Sequence, residues 1–272
     1  MPNNEFCKAD IPKILQISEI VQEGKDQKSF FFRHSIDCKP GQFIMVWLPG
    51  IDEKPMAVSY WKKNEFAFTS HAVGKFTYAL DELKKGGKLG IRGPYGNGFS
   101  ARDNSCIVAG GVGIASVSVL AEMLKNSTLI YGARCKELLI YLKRFKNKKM
   151  IVTTDDGSYG RKGFTADVLN ELLSKNKSIK KVYTCGPEVM MKKVFEICKK
   201  CKVECQASLE RYMACGYGVC GKCMINDSIV CVDGPIFNSK QLRNFSEFGN
   251  FARLKSGRRV TIKEYHSIYE LI

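Results

Sequence analysis

Four cysteines near the end of the chain constrain its fold more than any other feature. Cys215, Cys220, Cys223 and Cys231 form the pattern C-x4-C-x2-C-x7-C. The first two spacings match the plant-type [2Fe–2S] pattern, in which four thiolates must converge on two bridged irons. Glycines stand between these ligands at positions 216, 218 and 221, and glycine tolerates the positive-φ turns that bring backbone N–H groups to the sulfurs. The spacing therefore predicts a [2Fe–2S] cluster.

A zinc site and a group of free thiols are the alternatives for these cysteines. Zinc sites usually contain two C-x2-C pairs, and only Cys220 and Cys223 form such a pair here. A second group of cysteines, at positions 198, 201 and 205, ends a lysine-rich predicted helix and has no glycine turn between its first two members. We expect that second group to be structural.

Composition limits the class of protein. The 272 residues are 44% hydrophobic and 26% charged, which is typical of a globular protein and excludes a mostly disordered or fibrous chain. Residues 1–13 contain no apolar run of the secretory kind, so we expect a cytoplasmic protein whose cysteines are reduced or bind metal. The longest charge-free apolar stretch, residues 106–121, is too short for a membrane span, and we expect no membrane partner.

The chain is strongly basic, with a net charge of +16. A solvated surface, an acidic partner protein and a nucleic acid could each account for such a charge. The basic residues are spread over several segments, and no continuous stripe of interleaved aromatic residues accompanies them. We therefore expect a solvated surface and no nucleic-acid partner.

Three regions of the chain differ in their predicted structure. Residues 1–100 contain short strand-like runs separated by turn residues, with one predicted helix near 77–84, which indicates an antiparallel β-barrel. Residues 101–206 alternate strands with helices, predicted at 115–124, 138–145, 164–174 and 189–201, which indicates a parallel sheet covered on both faces. Residues 207–272 would form a small domain around the cysteines, with 247–259 as a surface extension covering it.

A glycine-rich turn follows the first strand of the predicted parallel sheet. It contains Gly110, Gly111, Gly113 and Ala115, and it opens a predicted helix. Such a turn lets a diphosphate approach the backbone at a helix N-terminus, although a tight packing turn is the alternative. Two more segments follow strands of the same sheet: Thr154, Asp155, Asp156, Gly157 and Ser158, and Cys185, Gly186 and Pro187. Because the carboxyl ends of parallel strands share one edge, the three segments predict a dinucleotide site there.

The order of these motifs resembles a known superfamily. A barrel, then Lys54-Pro55-Met56-Ala57, then Gly74-x-x-Thr77, the glycine-rich turn and Cys185-Gly186-Pro187 resemble the ferredoxin–NADP reductases over roughly residues 10–200. With Ser208–Met213 before the cysteines and Cys231–Pro235 at their end, nearly the whole chain resembles the electron-transfer subunits of dihydroorotate dehydrogenase type B.

The resemblance implies an FAD site in the barrel. Its residues would be Lys54, Pro55, Met56, Ala57, Thr69, Ser70, His71, Gly74, Phe76 and Thr77. The family motif Arg-Pro-x-Ser reads Lys-Pro-Met-Ala here, so a lysine would meet the diphosphate as a point charge and one hydroxyl is absent. Cys185 corresponds to the family cysteine near the nicotinamide and is the predicted catalytic position.

The resemblance also implies a function. Electrons would pass from NADH through FAD and the cluster to the FMN of a catalytic dihydroorotate dehydrogenase subunit, in pyrimidine biosynthesis and within a two-plus-two heterotetramer. The partner would bury the regions around 216–219 and 233–237. One alternative is the small subunit of a ferredoxin–NADP transhydrogenase, which typically has an aspartate where Cys215 stands. Another is an iron–sulfur regulatory or nucleic-acid-binding protein.

Overall fold

An antiparallel sheet of seven strands forms the first part of the molecule. The structure is a computed structural model and describes residues 11–270. The strands are β1 (Lys13–Gln16), β2 (Glu19–Gly24), β3 (Gln27–Phe32), β4 (Phe43–Leu48), β5 (Asp52–Lys62), β6 (Glu65–His71) and β7 (Lys88–Tyr95), and helix α1 spans Lys75–Asp81. Their order is β1-β7-β4-β5-β6-β3-β2. Alternate residues such as Phe30 and Phe32 face a buried core, which confirms the predicted antiparallel barrel.

A second sheet, almost entirely parallel, follows. Its strands are β8 (Ser105–Gly110), β9 (Ser127–Ala133), β10 (Met150–Thr154), β11 (Arg161–Lys162), β12 (Lys181–Cys185) and β13 (Glu204–Ser208), and its helices are α2 (Ile114–Met123), α3 (Thr165–Lys175) and α4 (Glu188–Cys201). The order β11-β10-β9-β8-β12-β13 puts the first strand of the region in the middle, with crossovers on both sides. The predicted α/β region is confirmed.

The predicted helix over residues 138–145 is wrong. The structure has a short 3₁₀ turn at Lys136–Leu138 and then irregular backbone, with Tyr141 at φ +63°. Leu139, Ile140 and Tyr141 are consecutive and all buried, whereas a helix packed on one face buries only every third or fourth residue. The Ile140 N–H donates to the Tyr131 hydroxyl at 3.0 Å instead of a helical carbonyl.

The last part of the chain is built from short elements. They are β14 (Met224–Ile225), β15 (Ser228–Ile229), α5 (Val230–Asp233), β16 (Ile236–Asn238), α6 (Ser239–Asn244), β17 (Phe251–Arg253), β18 (Arg259–Thr261) and α7 (Ile262–Glu270). Strand β16 pairs antiparallel with β13 and so completes the edge of the second sheet. The division of the chain into three domains remains our proposal. Strand β16 lies in the third predicted domain but pairs with β13 in the sheet of the second.

None of the helices within residues 11–270 is both long and apolar enough to cross a membrane.

Candidate functional site

A large cleft opens at the carboxyl edge of the parallel sheet, where that sheet meets the barrel. Its volume is about 920 Å³. The barrel contributes Pro55, Met56, Ala57, Thr69, Ser70, His71 and Thr77, and the sheet contributes Gly110, Gly111, Gly113, Ala115, Asp155, Gly186 and Pro187. Most residues of the two predicted nucleotide sites therefore line one continuous cavity.

Two buried polar groups on the barrel wall of the cleft are suited to hold a polar ligand. The Oε1 atom of Gln27 and the Oγ atom of Ser70 have no hydrogen-bond partner among the described residues, although both side chains are buried. A buried polar atom without a partner costs free energy, so such atoms mark places where a ligand or water completes the hydrogen bonding. Polar groups beside the apolar Met56 and Ala57 suit a flavin.

Three predicted flavin residues do not line the cleft. Lys54 forms an ion pair with Asp52 at 2.6 Å, and its ammonium lies over the ring of Tyr212. Phe76 is buried in the barrel core. Gly74 begins α1, where its N–H donates to the Thr77 hydroxyl at 3.0 Å. Their part in flavin binding stays a prediction.

The glycines at the edge of the sheet divide into two kinds. Gly111 has φ +52° and no atom within 4 Å of the position that a Cβ would take, so it faces the open cleft. By contrast, a Cβ on Gly113 would lie 2.7 Å from the Cys185 carbonyl carbon and oxygen, and one on Gly110 would lie 2.8 Å from Pro187. Gly113 and Gly110 therefore let the loops pack together, while Gly111 leaves space for a ligand.

The segment after β10 forms a compact turn whose polar groups mostly hydrogen-bond to one another. The Asp156 carboxylate accepts hydrogen bonds from the N–H and the hydroxyl of Ser158, and these bonds lower the pKa of Asp156. Thr154 is buried and donates to the Tyr159 carbonyl, and Gly157 is exposed. Of the five predicted residues in this turn, Asp155 is the one that lines the cleft.

Cys185 lies directly behind the cleft wall. Its side chain is fully buried, and burial raises the pKa of its thiol to about 12 despite hydrogen bonds with Ser116 and Ser208. Both serines line the cleft, whereas Cys185 itself does not. At neutral pH Cys185 is therefore a protonated thiol, and its predicted role beside the nicotinamide stays a prediction.

Three charged residues that the sequence analysis did not assign to the site also line the cleft: Glu188, Glu210 and Arg211. Glu188 and Arg211 form a buried, doubly hydrogen-bonded ion pair, and the Gly249 N–H donates to the same Glu188 carboxylate at 2.7 Å. Glu210 also lines the cleft, and desolvation and the nearby Glu188 carboxylate raise the pKa of Glu210. Glu210 and Arg211 belong to the segment Ser208–Met213, which carries the family resemblance, but no spacing in the sequence indicates that Arg211 pairs with Glu188.

The C-terminal segment also reaches the cleft. Ala252, Ile262 and Tyr265 line it beside the first turns of α4. The sequence predicted a surface extension over the cysteine-rich region, and the segment does contact that region, because Arg253 donates to the Met224 carbonyl at 3.1 Å. No pattern in the sequence predicted that this segment also lines the cleft.

Three of the four predicted ligands lie in the loop before β14, and the fourth, Cys231, lies on α5 close to them. The Cys220 N–H donates to the Cys215 sulfur at 3.5 Å, and the thiols of Cys223 and Cys231 are near enough to shift each other's pKa. Among residues 11–270, no three metal-ligating side chains converge on the position of a single ion. Four cysteines brought close together supply the number of thiolates that a [2Fe–2S] cluster requires.

The loop backbone favours the thiolate form of Cys215. Burial acts to raise the pKa of Cys215, but N–H groups of the loop, including those of Cys220 and Tyr217, lower it to about 6. The loop can direct these N–H groups inwards because Gly216, Gly218 and Gly221 all have positive φ angles. The donor set thus fits the predicted [2Fe–2S] cluster.

The surface around the cysteines is partly apolar. Tyr217, Val219 and Val232 are exposed beside the exposed Cys220, and we call these three residues the apolar rim. The sequence predicts that a partner buries the region around 233–237, but residues 234–237 are already buried within this chain, so only the exposed residues beside them, such as Val232 and Asp233, are free for such a contact. The Asn97 N–H donates to the Gly234 carbonyl at 2.6 Å, and this bond helps to hold the segment against the end of the barrel.

A smaller cavity, of about 510 Å³, lies at the opposite edge of the parallel sheet. One of its lysines caps the end of a helix: the Lys148 ammonium donates to the Leu124 carbonyl at 2.6 Å, just after α2. This second cavity contains none of the predicted site residues.

Comparison with known families identifies two domains in the chain. A family model described as the iron–sulfur cluster binding domain of dihydroorotate dehydrogenase B matches residues 210–243. A model described as the oxidoreductase NAD-binding domain matches residues 107–196. The chain therefore combines an oxidoreductase nucleotide-binding domain with a cluster-binding domain.

Whole-chain comparisons cover almost all of the molecule. The chain is 44% identical over 257 residues to a probable dihydroorotate dehydrogenase B (NAD(+)), electron transfer subunit, of Methanocaldococcus jannaschii, covering 92% of this chain and 98% of the relative. It is 45% identical over 249 residues to the protein of the same description in Pyrococcus furiosus, covering 90% and 97%.

Solved structures show the same fold. A chain of the NADH-dependent reduced ferredoxin–NADP oxidoreductase superposes with a TM-score of 0.76 at 30% identity, covering 84% of this chain and 89% of that one. A Neisseria gonorrhoeae ferredoxin–NADP⁺ reductase shares the fold at 15% identity, with a TM-score of 0.57 and coverage of 71% and 92%. The chain belongs to the family of dihydroorotate dehydrogenase B electron-transfer subunits.

Proposed function

We propose that this protein takes electrons from NADH and delivers them one at a time to the catalytic subunit of a dihydroorotate dehydrogenase. FAD and NADH would occupy the large cleft, and a [2Fe–2S] cluster would be bound by the four cysteines. One observation carries the proposal: the cleft and the cysteine loop share strand β4. Phe43 lines the cleft, and Met45, on the same face of the strand, lies so close to Gly216 that a Cβ there would be 2.7 Å from Met45 Cγ.

The chain itself would supply binding and orientation of the two nucleotides. Gln27 and Ser70 would donate or accept hydrogen bonds on the flavin side, while Met56 and Ala57 provide apolar contact. Gly111 leaves space for a diphosphate beside the loop of Gly186 and Pro187. When bound, the flavin supplies the exchange between a two-electron donor and a one-electron carrier.

The partner is inferred from the relatives, which are described as electron-transfer subunits. We propose that it carries FMN, oxidises dihydroorotate in pyrimidine biosynthesis, and assembles with this chain two-plus-two. The apolar rim beside Cys220 is the surface on this chain that favours such docking. We also propose a cytoplasmic location, because none of the cysteines that the structure describes forms a disulfide, as is usual in a reducing compartment.

Reconstitution tests the proposal. The isolated holo-chain should reduce artificial acceptors with NADH and should not oxidise dihydroorotate. Addition of the FMN-containing catalytic chain should couple NADH to orotate, and Cys220→Ser should abolish this coupling while NADH oxidation with a two-electron acceptor persists. Full coupling by the cluster-free variant would show that electrons do not pass through the cluster.

The similarity at 30% identity to a chain of the NADH-dependent reduced ferredoxin–NADP oxidoreductase supports a second candidate, the small subunit of a transhydrogenase. The presence of Cys215, where such subunits typically carry an aspartate, favours the first candidate. The same reconstitution separates them. A chain that couples NADH to NADP⁺ and ferredoxin with its partner, and not to orotate, belongs to the second class.

A further inference from the structure

An arginine of the barrel is bound directly to the loop that carries the cysteines. Arg92, on β7, donates through Nη2 to the carbonyl oxygen of Cys215 at 2.6 Å. Its guanidinium also lies 5.3 Å from the ring centroid of Tyr217 and donates to the Tyr95 hydroxyl at 3.3 Å. A positive charge is thus held one peptide carbonyl away from a predicted cluster ligand.

Glu53, on β5, fixes this arginine in place. Arg92 Nε donates to Glu53 Oε1 at 2.7 Å and Nη2 to Oε2 at 2.6 Å, which is the two-pronged geometry that a lysine cannot reproduce. The Arg92 side chain is only 7% exposed and that of Glu53 20%. Desolvation acts to lower the pKa of Arg92, but the hydrogen bonds and charge of Glu53 raise it, so the arginine stays charged.

Attachment of the cysteine loop to the barrel does not by itself require a buried ion pair at this position. The loop is already attached to the barrel by the close contact between Gly216 and Met45, and the 233–236 segment is held by Asn97. Neutral side chains could donate a hydrogen bond to the Cys215 carbonyl. A buried ion pair brings a desolvation cost, and in a low-dielectric site its charges act strongly on nearby groups.

We propose that Arg92 and Glu53 act as a positioning pair that sets the reduction potential of the [2Fe–2S] cluster. This inference rests on the proposed function, since it requires the cluster. Reduction adds one electron to the cluster and makes it more negative. The fixed charge of Arg92 stabilises that reduced form, and the carboxylate of Glu53 opposes it, so each residue moves the potential in a defined direction and no proton is transferred at Arg92.

The test is a potentiometric titration of the purified holo-chain, followed by the electron paramagnetic resonance signal of the reduced cluster. Arg92→Gln should lower the reduction potential and Glu53→Gln should raise it, each by about a tenfold change in the equilibrium constant for reduction, or ~59 mV for one electron. The double variant should return close to wild type. Arg92→Lys, which keeps the charge, should shift the potential less than Arg92→Gln.

A purely structural role gives a different pattern. Loss of either partner would then loosen the same loop, and both single variants would move the potential in the same direction or leave it unchanged, which overturns the proposal. A matched control is the doubly hydrogen-bonded pair of Arg161 and Glu171 on the outer edge of the second sheet. Arg161→Gln and Glu171→Gln should leave the potential unchanged.

The experiment distinguishes a failure of the proposed function from a failure of the proposed role of Arg92. If the wild-type chain gives no [2Fe–2S] signal, the proposed function fails, whatever the variants do. If Arg92→Gln does not retain a cluster, Glu53→Gln is compared with the double variant, in which no buried carboxylate is left unpaired. A lower potential in the double variant than in Glu53→Gln supports the role of the arginine charge, and equal potentials overturn it.

Discussion

Single residues in the glycine-rich turn show how one motif combines packing with ligand space. Gly113 and Gly111 are two positions apart, yet only the first is pressed against backbone, at 2.7 Å from the Cys185 carbonyl for an added Cβ. A sequence motif treats both glycines alike. The structure separates them, because it shows which one faces the cleft.

We expect Gly111→Val to raise the KM for NADH by about tenfold, ~1.4 kcal/mol of binding, because its side chain would fill ligand space. Gly257→Val is the matched control, since Gly257 also has a positive φ (+89°) and open surroundings. Both variants strain the backbone, by ~1–3 kcal/mol. Steady-state kinetics should show a changed KM in the first alone, and equal KM values would mean that the turn only packs helix on strand.

The cysteine assignment makes a second prediction at this scale. Cys220→Ser should remove a cluster ligand, so iron and acid-labile sulfide analysis should show the loss of the cluster. Cys201→Ser is the control, because Cys201 ends α4 and belongs to the group predicted to be structural. A full iron content in Cys220→Ser, or its loss in Cys201→Ser, would contradict the assignment.

At the scale of elements, the Glu247 carboxylate is a centre of the contacts that hold the C-terminal segment to the cysteine-rich region. Glu247 accepts two hydrogen bonds from Arg253, at 2.7 and 3.0 Å, and another from the Asn226 N–H at 3.0 Å. The Arg253 guanidinium also reaches the Met224 carbonyl. Because the same segment lines the cleft through Ala252, Glu247 links the two sites mechanically.

Glu247→Gln should lower the free energy of unfolding by ~1–3 kcal/mol. Burial acts to raise the pKa of Glu247, but its bonds with Arg253 and Asn226 bring it below the usual 4.5. A depressed folded-state pKa gives stability that is fully present above about 4.5 and is lost as pH falls through the folded-state value. Urea unfolding should therefore give the same difference from wild type at pH 8 and pH 5.5, and a smaller one near pH 4.

A difference that shrinks between pH 8 and pH 5.5 would show that another group dominates. Glu171→Gln serves as the comparison, because Glu171 pairs with Arg161 on the solvent-exposed surface. Such exposed pairs add little stability, so this variant should unfold nearly as wild type does.

At the scale of the whole molecule, the cleft and the cysteine loop both contact one face of β4, the first through Phe43 and the second through Met45, and the loop has an exposed outer side. Cys220 is exposed and stands beside the apolar rim, within which Val219 is 76% exposed. Short-range electron transfer to another protein requires that the cluster lie near the surface of contact. The arrangement therefore predicts that the partner covers the rim.

Val219→Glu should weaken binding to the catalytic subunit by about tenfold or more, because it places a charge in an apolar contact. The fold of the isolated chain should not change. Met123→Glu, on an exposed helical position of α2, should leave binding unchanged. Calorimetric titration of the two chains provides the measurement, and equal affinities for both variants would place the interface elsewhere.

Several features of this molecule could be predicted from local patterns in its sequence. The barrel strands follow from alternating apolar residues such as Phe30 and Phe32, because one face of each strand must be buried. The four predicted ligands follow from their spacing, since the first three cysteines match the plant-type [2Fe–2S] pattern and a fourth follows at a short interval. Both patterns are local, and local patterns can be recognised in one chain.

The tertiary structure decided whatever depends on contacts between distant segments. Residues 138–145 have helix-compatible side chains, yet burial of consecutive positions against Tyr131 prevents a helix. The approach of Ala252 to the cleft and the bond from Arg92 to Cys215 join residues far apart along the chain. No periodicity or spacing encodes such pairs, because they arise only when packed elements bring the side chains together.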